Sequence, residues 1–550
     1  MIGMTRLSPF SAKGYFAIPR NLLVGLFLMW LLALCLSLFG LGNLPLRDFD
    51  EATVARVSFE LSNQKGLDQL LPTLWGANYL NKPPGLHWLI ALAIKFSRNF
   101  QGLIQTPPSE FVVRLIPALM STLVVPLGGL IQWKLRPQDF LSSFATSGIL
   151  LTLLPLARHG RLAMLDGTQL SAMALMWLLF LSIDQSKLDK FCAFFAGLVA
   201  SFLLLLKAPF LIPAFLAGFL PLYFDKTISK VSLRPLSMFF GLGLCPGICW
   251  HIWHFLQRGP DALWLWGGDG ATRVLFSAGE GSDLGFLVPI IEIFEGGWPW
   301  LILWPFGIIW AFHERHTRWG RWSLVSQFTL AFSILPLRTQ LPWYSYPLWL
   351  PFSLICAVPF SFLINLRSAK YVSAKFLLRR TPYVFLTLGS ALLLLGVLGE
   401  LGLIRSLNLY SQISICAGTG WLIGGWLLTR SQILQRLYGA ISLIAGSFVA
   451  LLLLMGSSFW LWELNESWPV KPVAQMISMA KASPVFIEDN HERPSLNWYA
   501  GQKILEVEDV SKPGWILVKK QYALTKFDSK IKCNSIQTAG EWSLIRCQRR

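Results

Sequence analysis

Charge is what this sequence has least of. Only 14% of its 550 residues are Asp, Glu, Lys or Arg, against about a quarter in an ordinary soluble chain. Acidic residues are the scarcer kind, 29 against 47 Lys and Arg. No Gly-x-x-x-x-Gly-Lys-Ser/Thr loop, no His-Glu-x-x-His and no Gly-x-Ser-x-Gly occurs. Those absences argue against an ATP-driven pump, a zinc protease of that type and an α/β-hydrolase. The eight Cys form no Cys-x-x-Cys pair. Cys35, Cys192, Cys245, Cys249, Cys356 and Cys416 lie in or beside apolar runs and read as packing residues.

What the sequence has in abundance is apolar length. Of all residues 54% are hydrophobic, with 25 Trp and 39 Phe. Runs long enough to cross a bilayer core of about 30 Å recur along the chain. They predict thirteen spans at 21–42, 112–133, 139–157, 168–184, 191–206, 208–223, 236–256, 288–312, 322–336, 343–365, 382–404, 410–428 and 437–462. Arg6, Lys13 and Arg20 precede the first run, which is too long for a signal-peptide core and reads as a retained anchor. The segment 84–96 is apolar but short and carries His87 and Lys95, so it is assigned to the interface. With that assignment the basic links fall on the N-terminal side, 20 Lys/Arg against 5 Asp/Glu. The positive-inside rule then makes that side cytoplasmic and explains the net charge of +18 without nucleic acid.

Residues 463–550 differ. They hold 23 of the 76 charged residues in 88 positions, which marks a boundary between a membrane domain, 1–462, and a small polar domain, 463–550. Odd-numbered spans put that tail outside, with the loops 43–111, 158–167 and 257–287 and the turn 338–342. Runs at 484–488, 515–519 and 542–546 read as strands of a mixed α/β module, and Cys533 and Cys547 could pair if exported.

The outer loops carry the candidate chemistry. Asp48-Phe49-Asp50-Glu51 offers three carboxylates at a membrane surface, either a base or metal ligand or a solvated helix start. Lys82, before Pro83-Pro84, is an ammonium on a rigid turn at headgroup depth, or a snorkelling anchor. Asp166 opens the fourth span, as a functional group or a cap. Lys207, Arg273 and Arg338 add cations on the same face. Carboxylates opposite cations suit an anionic, lipid-linked ligand. Charge concentrated in loops, not at midplane, argues against a secondary transporter. A saccharide-lipid flippase without catalysis is nevertheless the alternative class.

The chain carries Arg-Asp-Phe-Asp-Glu-Ala at 47–52, Pro-Thr-Leu-x-Gly at 72–76, Tyr-Leu-Asn-Lys-Pro-Pro at 79–84 and Val-Arg-Leu-Ile-Pro at 113–117. Gly-Arg-Leu-Ala-Met-Leu-Asp at 160–166, Lys-Ala-Pro at 207–209, Trp-Pro-Trp at 298–300 and Gln-Leu-Pro-Trp-Tyr-Ser-Tyr-Pro at 340–347 follow in order. On these ordered motifs the chain resembles the GT-C superfamily of membrane glycosyltransferases, in the branch of protein O-mannosyltransferases and lipid A aminoarabinose transferases. The resemblance implies an α-helical polytopic fold with a small outer α/β domain. It implies transfer of a sugar from a polyprenyl-phosphate donor to a lipid, glycan or protein hydroxyl at the outer face of the plasma membrane. Asp50 would be the catalytic base, with Asp166 and Glu51 as further catalytic candidates. Lys82, Arg273 and Arg338 would bind the donor phosphate. It also offers Asp50 as a ligand for a divalent metal ion. The aminoarabinose branch, however, carries Glu directly before the Lys-Pro lysine, and here Asn81 stands there, a poorer ligand. No tightly bound metal is expected.

Overall fold

The computed structural model describes residues 18–101, 107–137, 139–183, 188–224, 233–267, 285–337, 340–366, 375–460, 470–480, 483–488, 493–507, 514–519 and 531–549. Each of the thirteen apolar runs is helical there. Among the described residues seven helices are long and apolar enough to cross a membrane, eight if one bent pair is a single span. Others, such as Phe140–Thr152 and Leu165–Leu181, are apolar but shorter. The chain is an integral membrane protein.

Burial sorts the helices. Every residue from Trp349 to Ile364 is buried, so this helix, apolar on all sides, is the axis of the bundle. The first helix, Arg20–Leu38, is peripheral and exposes Leu23, Val24, Phe27 and Leu28, the outward apolar surface that a lipid environment solvates.

One expected span is not straight. The run 288–312 forms helices Leu287–Gly296 and Trp300–His313 that meet at 107°. Gly297-Trp298-Pro299 lies between them: Gly296 lets the end of the first helix press against Pro155, and Pro299 has no amide hydrogen to continue that helix. The segment 84–96, assigned to the interface, is also helical, within Gly85–Gln101, with Leu86, Ile90 and Ile94 buried and Leu92 and Phe96 exposed.

After the last long helix, Ile433–Gly456, the chain forms a separate module with its own apolar core. Its strands are β3 (Val485–Glu488), β4 (Leu505–Val507), β5 (Gly514–Lys519), β6 (Ile531–Ala539) and β7 (Trp542–Arg549), following a two-residue pair, β1 (Thr73–Leu74) and β2 (Ala77–Asn78), in the first loop. The sheet order is β4-β3-β5-β7-β6, parallel on the β4-β3-β5 side and antiparallel on the other. Cys533 and Cys547 are partners in the β6–β7 register and form a disulfide. Three of the strands were expected. β4 is short and β6 is an exposed polar edge, so neither carries the alternation that announces a strand.

Helices Asp189–Leu206 and Leu233–Arg258 cross at Gly197 and Gly243, where a Cβ on Gly243 would run into the Phe194 carbonyl. Small residues let membrane helices approach this closely. Gly243→Val should cost about 1–3 kcal/mol, the usual penalty of overpacking. Thermal unfolding of the detergent-solubilised protein checks this, and an unchanged midpoint contradicts the packing described.

Candidate active site

The acidic cluster is built on a strained turn. Phe49 has φ 57° and ψ −67°, and the Asp50 amide donates to the Asp48 carbonyl at 2.8 Å. This is the rarer, strained form of γ-turn. Such backbone costs on the order of 1–3 kcal/mol and persists only where its surroundings over-determine it. From it runs helix Asp50–Asn63, with Asp50 and Glu51 in its first turn, where the macrodipole favours negative charge.

Glu51 does not face the site. It is fully buried and forms a two-pronged ion pair with Arg114, at 2.8 Å from Nε and 2.7 Å from Nη2. It also accepts the amides of Arg47 at 2.9 Å and Ala163 at 2.7 Å. Burial by itself would raise its pKa; the Arg114 charge and these bonds outweigh burial and hold the carboxyl below its ordinary value. The remaining Arg114 donors go to the carbonyls of Leu41, Leu44 and Pro45, at 3.0, 2.8 and 2.7 Å. All five guanidinium N–H groups are thereby used. Glu51, a further catalytic candidate in the sequence, is thus placed as the anchor under the turn.

Asp48 is buried too, and turns toward the C-terminal module. Its Oδ1 accepts the Ser495 amide at 2.9 Å and its Oδ2 lies 3.4 Å from Arg493. Of the three carboxylates only Asp50 remains accessible.

Lys82 reaches the same neighbourhood through a braced loop. Glu60, on the helix after Asp50, accepts the Thr73 hydroxyl at 2.6 Å and the Trp75 amide at 2.8 Å, fixing the β1–β2 pair. After the Lys-Pro-Pro turn, His87 is buried and pushed down to about pKa 4, chiefly by burial, with the Lys82 charge adding to it. The neutral ring donates from Nδ1 to the Pro83 carbonyl at 3.2 Å and pins the turn. Gly85 lets that turn press against the end of helix Asp189–Leu206: an added Cβ would lie 2.7 Å from the Leu205 carbonyl. The helix ends at Lys207, in extended conformation, with its Nζ 4.8 Å above the Tyr344 ring.

Asp166 completes the group from the first turn of helix Leu165–Leu181. Its pKa is pushed up to about 6, first by burial; Lys207 and Lys82 oppose the rise and Asp50 adds to it. Lys207, Asp50 and Lys82, from three other segments, are thus all close enough to act on Asp166. Tyr79 belongs with them, held neutral by burial and by the Asp50 charge. Beside it opens a cavity of about 640 Å³ lined by Asn78, Tyr79, Asn81, Asp261 and Trp264, among others. An accessible carboxylate can take a proton, and paired ammonium groups can hold a phosphate.

Arg273 and Arg338 lie outside the described residues. Among the described residues no three His, Cys, Asp or Glu side chains are grouped to hold a metal ion, and Asn81 is an exposed amide. This donor set does not fit a bound divalent cation. Sequence reasoning gave no role to Arg114, Arg493, Ser495 or Tyr499. Arg114 had a legible signal, a lone Arg in an apolar run, which is costly unless paired. Lys207 was only one cation among several.

The overall fold is similar to that of two solved structures. ArnT from Cupriavidus metallidurans bound to undecaprenyl phosphate has a TM-score of 0.68 at 15% identity, over 96% of this chain and 98% of that one. The same ArnT in the apo state gives 0.68 at 13% identity, over 94% and 97%. No protein-family model matches the chain, and no curated protein matches it in sequence.

Two outcomes follow for these carboxylates. Glu51→Gln leaves the Arg114 charge buried and unpaired and should cost about 3–5 kcal/mol. Asp50→Asn should leave the unfolding midpoint unchanged, so equal midpoints for the two variants contradict the assignment. Asp166 holds its proton more tightly in the folded chain than in the unfolded one, where an Asp titrates near about 4. It therefore adds stability at low pH that is lost as pH rises through about 6. Asp166→Asn should flatten that part of the pH dependence of thermal stability; an unaltered slope contradicts it.

Proposed function

We propose that this chain is an inverting glycosyltransferase that moves a sugar from a polyprenyl-phosphate donor to a hydroxyl acceptor at the outer face of the membrane. The observation that carries this reading is the convergence of Asp50, Asp166, Lys82 and Lys207 at one end of a bundle whose other charges are sparse. The likeness to an ArnT bound to undecaprenyl phosphate supports the lipid carrier.

In this reading Asp50 takes the proton of the acceptor hydroxyl as its oxygen attacks the anomeric carbon. The bond from that carbon to the phosphate oxygen breaks on the opposite face, and the electron pair leaves with the lipid phosphate. Lys82 and Lys207 meet the negative charge gathering there. Asp166 holds the two ammonium groups and the acceptor side in register. The basic links assign this end to the outside and the N-terminus to the cytoplasm. The polar domain 463–550 then lies outside, as the membrane domain's companion. The saccharide and the acceptor are of the kinds the resemblance implies: a lipid-linked sugar, and a lipid, glycan or protein hydroxyl.

Purified protein in liposomes, given polyprenyl-phosphate sugars, should transfer sugar. Asp50→Asn should lower kcat by about 10²–10⁴-fold, the worth of a general base. Lys82→Ala should raise the KM for the donor about tenfold, as expected for one charged hydrogen bond, and leave the acceptor KM near its original value. Full turnover by Asp50→Asn removes the base assignment. Movement of lipid-linked saccharide across the bilayer without any transfer supports the flippase instead.

A further inference from the structure

The C-terminal module touches the membrane domain at the acidic turn. Asp48, the residue before the strained Phe49, is bonded to Ser495 and Arg493. Two residues earlier, the Leu46 amide donates to the Tyr499 hydroxyl at 2.7 Å. That hydroxyl in turn donates to Glu110 at 2.8 Å, and Lys471 pairs with the same carboxylate at 2.6 Å. Glu110 opens the helix that carries Arg114, the partner of Glu51. Phe59, on the helix that begins at Asp50, meets Trp498 edge-on at 5.9 Å between ring centres.

These contacts surround one feature. The γ-turn at Phe49 is unfavourable in isolation, so groups on both sides of it must hold it. On its C-terminal side Glu51 is fixed by Arg114, within the membrane domain. On its N-terminal side Leu46 and Asp48 are fixed by helix Pro494–Ala500 of the module. Asp50 stands between the two anchors.

We propose that the C-terminal module is a positioning element of the active site: through Tyr499 and the Asp48 contacts it holds the turn that aims the Asp50 carboxylate. Asp48, Tyr499 and Arg493 are positioning residues in this account, and none of them reaches the reacting atoms. The proposal rests on Asp50 being the base, and its test is arranged to separate the two claims.

The test uses full-length protein in liposomes with a polyprenyl-phosphate sugar as donor. Tyr499→Phe and Asp48→Asn each remove part of the anchor while keeping nearly the same shape. Both should lower kcat by about 10–100-fold, the scale of a roughly 1 Å misplacement, with the donor KM within about twofold of the original. Ile516→Val, in the module's own apolar cluster away from the turn, should leave kcat unchanged. Amide hydrogen exchange at residues 46–52 should be faster in Tyr499→Phe and unchanged in Ile516→Val. Unchanged exchange at 46–52 in both anchor variants overturns the proposal whatever the activity. Faster exchange with undiminished kcat overturns the catalytic part, and so does a kcat loss that Ile516→Val reproduces. If Asp50→Asn remains active, the base assignment fails, while the exchange measurement still decides whether the module holds the turn.

Discussion

The buried pair of Glu51 and Arg114 is the constraint on which the rest of the site depends. Removing two charges from water is costly, and a buried pair is tolerated only when every donor and acceptor is used. Here the five Arg114 donors and the Glu51 oxygens are used. Their partners come from three places far apart in sequence: the loop at 41–47, the helix at 110–122 and the turn at Ala163. Satisfying one ion pair therefore fixes three chain segments against each other. Asp50 is adjacent to this knot and Asp166 is three residues beyond Ala163. The geometry of the accessible carboxylates is inherited from the inaccessible one.

The site's electrostatics follow from scarcity. In a chain with so few charges, the charged groups that act on Asp166 are Lys207, Asp50 and Lys82. Burial raises the cost of each charge and so makes each one depend on its neighbours. A lipid phosphate entering between the ammonium groups would change the balance for both carboxylates at once. The strained turn at Phe49 adds a mechanical side to the same arrangement, since backbone of this kind is retained only where anchors hold it on both flanks.

Much of this was legible in the sequence, and the limits have physical causes. Apolar runs locate helices well because bilayer thickness imposes their length, and all thirteen runs are helical. The bend between Leu287–Gly296 and Trp300–His313 was signalled by Gly-Gly-Trp-Pro but hidden by the continuous apolar character around it. Motif order brought Asp50, Lys82 and Asp166 to attention together, and the structure gathers them. It separates three carboxylates that look equivalent in a row: Asp48 faces the module, Glu51 is buried, and Asp50 is accessible. Nothing local distinguishes them, because their partners lie up to 447 residues away. The same distance concealed Tyr499 and Arg493, ordinary residues in a polar tail whose role depends on where that tail docks.

In the proposed function Asp50 serves the transfer of a lipid-linked sugar at the cell envelope. Mass spectrometry of envelope glycolipids and glycoproteins from cells lacking the gene, and from the same cells carrying wild-type or Asp50→Asn protein at equal membrane abundance, tests it most directly. The account predicts that one sugar-bearing species disappears on deletion, returns with the wild-type protein, and stays absent with Asp50→Asn. Restoration of that species by Asp50→Asn, or an envelope unchanged by deletion, would contradict it.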